Sequence, residues 1–285
     1  MDGQDSASIL VLGGPSTGKT HYGAQLLGRL EEGSGRLAMR GVPGTIGPLE
    51  EVLRRLGQGQ TASHTATTTY TEIILPVRSS DGLSLDLVWP DYGGEQLRDL
   101  LRKRHVGPAW RQRVEQSSGW LLFVRPDRIR SYDDILSRPR GDIHLSPPDD
   151  GASARAWSSQ AEFVEILQLL LFTSGVGTRL RVGRPALGIV LSCWDELGGE
   201  DARARPADLL TMRMPLVGDF VASVWRAESL RVYGLSSLGK ALKSDTPDGE
   251  YIDRGPERFG YVVLPDGTRS PDLTLPIHAL AGSMA

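Results

Sequence analysis

The residues best equipped for chemistry stand near the start of the chain, in Gly13-Gly14-Pro15-Ser16-Thr17-Gly18-Lys19-Thr20. This stretch fits the phosphate-loop pattern G-x-x-x-x-G-K-[ST] at every fixed position. Glycines let the backbone curl until successive N–H groups face one polyphosphate. Lys19 then reaches the outer phosphates, and the Thr20 hydroxyl is placed to hold Mg2+. His21 is counted with the nucleotide-contacting residues of this loop, its ring read as a packing or surface group rather than a catalytic one. A second group follows in Asp91-Tyr92-Gly93-Gly94. An aspartate at the tip of a strand beside the phosphate strand reaches Mg2+ through a water. A glycine three residues later lets a backbone N–H approach the terminal phosphate. Between the two lies a threonine-rich stretch, Thr61 to Thr71, which reads either as a solvated linker or as a mobile loop over the site.

Both groups need strands to carry them. Ile9-Leu10-Val11-Leu12 is a short apolar run that reads as a buried strand entering the glycine turn, and Thr20 to Leu30 reads as the helix leaving it. Pro48 to Leu56 has the spacing of a short amphipathic helix. Residues 72–78 and 83–89 read as an antiparallel pair turned at Asp81-Gly82. Trp120 to Val124, Ala186 to Leu191 and Arg231 to Leu235 are further apolar strands, separated by helical patterns at Trp157 to Phe172 and Pro215 to Trp225. Arg138 to Ala156 is rich in proline and glycine and reads as a surface insertion; Asp245 to Arg258 is polar and loop-like. Phe259 to Gly267 reads as an added strand and turn, and a short helix near Pro276 to Leu280 closes the chain. Strands alternating with helices predict an α/β fold with a mostly parallel sheet. Ligands on such sheets bind at the carboxyl ends of the strands.

The bulk numbers bound the rest. With 285 residues, 39% of them hydrophobic, the chain can bury a full core. A net charge of -3 gives no electrostatic case for nucleic acid. One cysteine, Cys193, leaves no internal disulfide framework and predicts a reducing, cytoplasmic setting. No signal peptide fits the N-terminus, and no apolar run is long enough to span a bilayer. The histidines offer no metal spacing.

In motif order, residues 7 to 240 resemble the Ras-like GTPases of the P-loop class. The chain is most similar to the bacterial double-GTPase (DO-GTPase) type found in conflict and defence gene clusters. The resemblance implies a three-layer P-loop NTPase fold: a mostly parallel six-stranded sheet with one antiparallel strand and helices on both faces. It implies a G domain over residues 1–244, with insertions at about 33–60 and 130–156, and a packed C-terminal extension over 245–285. It sets Gly13 to Thr20 as the phosphate loop, Thr67 as the switch I threonine on Mg2+, and Asp91 to Gly94 as switch II. Ser192-Cys193-Trp194-Asp195 stands for the base-recognition motif, and Ser236-Ser237-Leu238 for the last base-side loop. Asp195 would accept hydrogen bonds from guanine N1 and N2; its plainer role is a helix N-cap. Two departures stand out. Glu95, followed by Gln96, occupies the place of the water-orienting glutamine, which implies slow intrinsic hydrolysis. Ser192 and Cys193 replace the Asn or Thr and the lysine of the base motif, which implies weaker guanine affinity. The expected function is a GTP-binding and GTP-hydrolysing switch that uses Mg2+ and engages an effector or GTPase-activating partner, with Lys19, Gly94, Glu95 and Gln96 as its catalytic set. The rival readings are a nucleotide-dependent scaffold with little turnover and a P-loop ATPase or kinase.

Overall fold

The structure, a computed structural model, describes residues 7–61, 72–89, 95–129, 159–177 and 180–284. Its centre is one sheet of nine strands. In chain order these are β1 Ala7–Leu12, β2 Leu37–Met39, β3 Ile73–Ser79, β4 Ser84–Trp89, β5 Gly119–Val124, β6 Ala186–Ser192, β7 Leu230–Ser236, β8 Tyr261–Val263 and β9 Arg269–Ser270. Their spatial order is β2-β3-β4-β1-β5-β6-β7-β8-β9. The five inner strands β4, β1, β5, β6 and β7 run parallel. β3 lies antiparallel to β4, and β8 antiparallel to β7.

The expectation of six strands with one reversed is therefore corrected. The six are present, and β2, β8 and β9 extend the sheet at both edges. β2 was hidden because it is only three residues long, inside the glycine-rich passage after the first helix. It pairs with β3 through Leu37 opposite Ser79 and Met39 opposite Val77.

The helices are α1 Lys19–Glu32, α2 Gly47–Gly57, α3 Glu95–Lys103, α4 Pro108–Gln116, α5 Ser159–Thr173, α6 Pro206–Arg213, α7 Pro215–Val224, α8 Gly249–Arg254 and α9 Leu275–Gly282. Successive strand residues point to opposite faces, and the core divides accordingly. Ile9 and Val11 of β1 face α1, α2 and α9 through Leu26, Leu49 and Ile277. Leu10 and Leu12 face α3 to α7 through Leu97, Trp110, Leu167, Leu209 and Val217. Both faces are covered, so β5 and β6 are buried along their whole length and read as unbroken apolar runs.

The stretch expected to be loop-like, Asp245 to Arg258, contains α8 and a 3-10 turn, Pro256–Arg258. Tyr251 anchors it. The ring is fully buried, stacks on Phe259 at 4.2 Å between centroids, and its hydroxyl accepts a hydrogen bond from Gln25 Nε2 at 2.8 Å. The buried Arg29 guanidinium of α1 reaches the same segment, donating to the carbonyls of Glu257 and Phe259. Residues 130–156 of the expected insertion, and Trp157, lie outside the described residues.

Candidate functional site

β1 delivers the chain into a turn that only glycine makes easily. Gly18 adopts φ 80° and closes the loop at the first turn of α1. A side chain on Gly13 would meet the Phe123 Cβ and carbonyl oxygen, each at 2.9 Å, so the loop starts pressed against β5. Above Gly14 there is open space. Ser16 is exposed and holds φ 58°, a left-handed conformation that an L residue adopts at a cost. Thr17 Oγ1 donates to the Gly14 carbonyl at 2.8 Å. Lys19 is buried, and its ammonium donates to the carbonyls of Gly13 and Gly14. The loop thus curls around its own lysine and runs straight into the N-terminus of α1, whose first N–H groups have no partner within the helix. This donor set fits a polyphosphate. Thr20 and His21 are partly exposed at the start of α1. The His21 ring pairs with Thr61 Oγ1 at 2.7 Å, and burial pushes its pKa down to about 4, leaving it neutral at pH 7.

The end of β6 sits beside this loop. A Cβ added to Gly18 would stand 3.7 Å from Ser192 Cβ and 3.9 Å from Cys193 Sγ, so the phosphate loop and the end of β6 are close neighbours. Ser192 is buried, and its hydroxyl donates to the Val124 carbonyl at 3.2 Å. Cys193 turns the chain at φ 55°; burial drives its thiol up to about 12, against the pull of nearby Arg125. Trp194 is buried against Gly234 of β7. Asp195 follows inside a one-turn 3-10 helix, Trp194–Glu196, capped at its N-terminus by Cys193, so the N-cap alternative for Asp195 is not what the chain forms. In the last loop, Ser236 and Ser237 are buried and Leu238 is half-buried. Ser236 Oγ accepts from the Gly239 N–H at 2.9 Å.

Three neighbouring parallel strands, β1, β5 and β6, therefore end in one cluster: phosphate loop, Arg125, and Ser192 to Asp195. Sequence reasoning passed over Arg125. Its signal was a lone charge directly after the apolar run Trp120 to Val124. Thr67, Asp91 and Gly94 lie outside the described residues, and so do the side chains of Glu95 and Gln96, whose backbone opens α3. Arg40 and Arg54 pair with Asp86 and Glu51 at 2.7 Å each. Among the described residues no group of three or more His, Cys, Asp or Glu could hold a metal, and no helix is long and apolar enough to cross a membrane.

A family model described as Double-GTPase 1 (DO-GTPase1) matches residues 10–280. No curated protein matches the chain. Among solved structures, the chain is similar to the bacterial selenocysteine-specific elongation factor EF-Sec, at 11% identity and TM-score 0.35, covering 81% of this chain and 26% of that one. It is similar to the signal recognition particle receptor SRb-GTP/SRX complex from Chaetomium thermophilum, at 15% identity and TM-score 0.38, covering 83% and 93%. It is also similar to a probable GTP-binding protein engB, at 10% identity and TM-score 0.31, covering 81% and 89%. The chain thus spans about a quarter of the elongation factor's length.

Proposed function

This chain belongs to the Double-GTPase 1 family, and from that premise we propose that it binds and hydrolyses GTP as a molecular switch in a bacterial regulatory or defence system. The observation that supports the reading is the nearness of Gly18 to Ser192 and Cys193, which sets the phosphate loop beside the end of β6 at the carboxyl ends of parallel strands. In this reading the backbone N–H groups from Gly14 to Thr20 hold the β- and γ-phosphates. Lys19 leaves its own carbonyls to join them. Thr20, Thr67 and Asp91 would hold Mg2+, which when bound would neutralise charge on the transferred phosphoryl group. The Gly94 N–H meets the γ-phosphate. Glu95 or Gln96 orients the attacking water. Asp195 accepts from guanine N1 and N2, and Ser237 supports the base. Loss of the γ-phosphate frees Thr67 and Gly94 and so changes affinity for an effector or a GTPase-activating partner.

The test is competition of unlabelled GTP, GDP, ATP and xanthosine triphosphate against a fluorescent guanine nucleotide with Mg2+. It is run on the wild type and on Asp195→Asn. Guanine nucleotides should win on the wild type, and Asp195→Asn should shift preference toward xanthosine. Equal competition by ATP, with no effect of the substitution, overturns the base assignment and favours an ATPase or kinase. Lys19→Ala should abolish binding.

Glu95 supports a second reading, a nucleotide-dependent scaffold with little turnover. A carboxylate beside the γ-phosphate repels it, which opposes the reaction. Phosphate release measured with and without candidate partners separates the two: none under any condition selects the scaffold.

A further inference from the structure

Arg125 is the first residue past β5, and β5 lies between β1 and β6. The phosphate loop follows β1, and Asp195 follows β6. A nucleotide held at both loops must therefore carry its sugar across the tip of β5. Arg125 stands at that tip with a side chain only 14% exposed. Its edges are all engaged. Nε donates to Asp127 at 2.9 Å, one terminal nitrogen pairs with Glu196 of the base-side loop, and the other lies 3.5 Å from the Ser16 carbonyl at the exposed turn of the phosphate loop. A guanidinium tied along its edges can meet a ligand only through a flat face, the geometry of stacking. The two carboxylates also fix its plane in advance, so little order is lost when a ligand arrives. Neighbouring Cys193 brings no positive charge of its own.

We infer that Arg125 is a nucleotide-positioning residue: its guanidinium, held between Ser16 and Glu196, lies flat against the sugar and base of the bound guanine nucleotide. The inference rests on the guanine-nucleotide reading above. Because Arg125 acts on the nucleoside half, it affects GTP and GDP alike and leaves the contact of Asp195 with the guanine edge unchanged.

The experiment measures equilibrium affinity of the full chain for fluorescent GDP and GTP in four forms: wild type, Arg125→Ala, Arg125→Lys, and Arg125→Ala combined with Cys193→Lys. Arg125→Ala should weaken both nucleotides about tenfold, the scale of a desolvated cation over a ring. Arg125→Lys should fall between. A lysine at position 193, one loop away and beside Gly18, should restore affinity to within about threefold of wild type. Should Arg125→Ala fail to fold, Arg125→Gln takes its place, since it keeps a donor for Ser16 and loses the charge. Unchanged affinity in Arg125→Ala overturns the inference. Weakened affinity that the position-193 lysine does not restore also overturns it, and leaves Arg125 a brace between Ser16 and Glu196. A wild type that binds no guanine nucleotide sinks the functional reading instead.

Discussion

At the scale of single residues, the site depends on side chains that do no chemistry. Trp194 is one. A Cβ on Gly234 would lie 2.3 Å from its Cε3 and 2.6 Å from its Cζ3, so any larger residue there must push the indole out of the core. Because Trp194 directly precedes Asp195, that push also moves Asp195, the proposed base contact. Gly234→Ala should cost about 2–3 kcal/mol of stability, the scale of overpacking a tight core, and should weaken guanine nucleotide binding as well. Thermal unfolding and nucleotide titration check both; a variant with wild-type melting and affinity would show that the contact yields freely.

Cys193 gives a second residue-scale test. Its thiol ionises near 9 in the unfolded chain and is pushed to about 12 in the fold, chiefly by burial. At pH 8 the folded thiolate fraction is then smaller by roughly a thousandfold, and the thiol should react with a disulfide reagent correspondingly more slowly before denaturant is added than after. The same shift has a sign for stability. Between pH 9 and about 12 the folded state keeps a proton that the unfolded state has lost, so stability falls as pH rises through that window. Cys193→Ser should flatten that part of the profile. Equal labelling rates in the folded and unfolded protein would contradict the buried geometry.

At the scale of elements, α8 is a six-residue helix that holds far more than its length suggests. Tyr251 joins it to α1 through Gln25 and to Phe259 by stacking. Asp248 N–H donates to the Gly59 carbonyl at 3.0 Å, and Thr61 N–H to the Lys243 carbonyl at 3.1 Å. The segment leading into the threonine-rich stretch is thus pinned to the chain at Lys243 and Asp248. Tyr251→Ala should cost about 3–5 kcal/mol, whereas Tyr251→Phe, which loses only the hydroxyl, should cost about 1 kcal/mol. In Tyr251→Ala, amide exchange should quicken at Asp248 and at Thr61 together. Quickening at Asp248 alone would show that the two are independent.

Legibility from sequence followed burial. The strands β1, β4, β5, β6 and β7 and the helices α1, α5 and α7 carry apolar runs or clear spacing, and each was read near its observed bounds. α4 was missed because only Trp110 and Val114 are buried in an otherwise polar segment. α8 was missed because a single aromatic fixes it amid acidic and basic neighbours. The phosphate loop was legible because its pattern is local. Arg125 was not, because its meaning comes from the strand order, and one sequence does not spell out that β5 stands between β1 and β6.

At the scale of the whole molecule, the C-terminal residues are part of the sheet's covering. Leu273, Ile277 and Leu280 are fully buried in the same cluster as Ile9 and Val11, and the Tyr22 hydroxyl donates to the Leu273 carbonyl at 2.9 Å. We propose that residues 245–285 cannot be separated from the rest. A chain ending at residue 244 would expose one face of β1, β5 and β6, and should be recovered as aggregate or as unfolded protein. A soluble fragment with a cooperative melt that still binds nucleotide would show the extension to be dispensable.

The burial of Met284 has a further consequence. Its sulfur packs over Gly119, the residue of β5 that pairs with Ile9, so the last described residues return to the strand that begins at Ala7. Both ends of the described chain meet at the pole where the parallel strands start, and the phosphate loop lies at the other pole. A short linker can join them, and the chain can be reopened at the exposed Asp81-Gly82 turn. Such a circular permutant keeps every strand in place, and any cargo tethered at Ala7 or Met284 hangs on the side away from the phosphate loop.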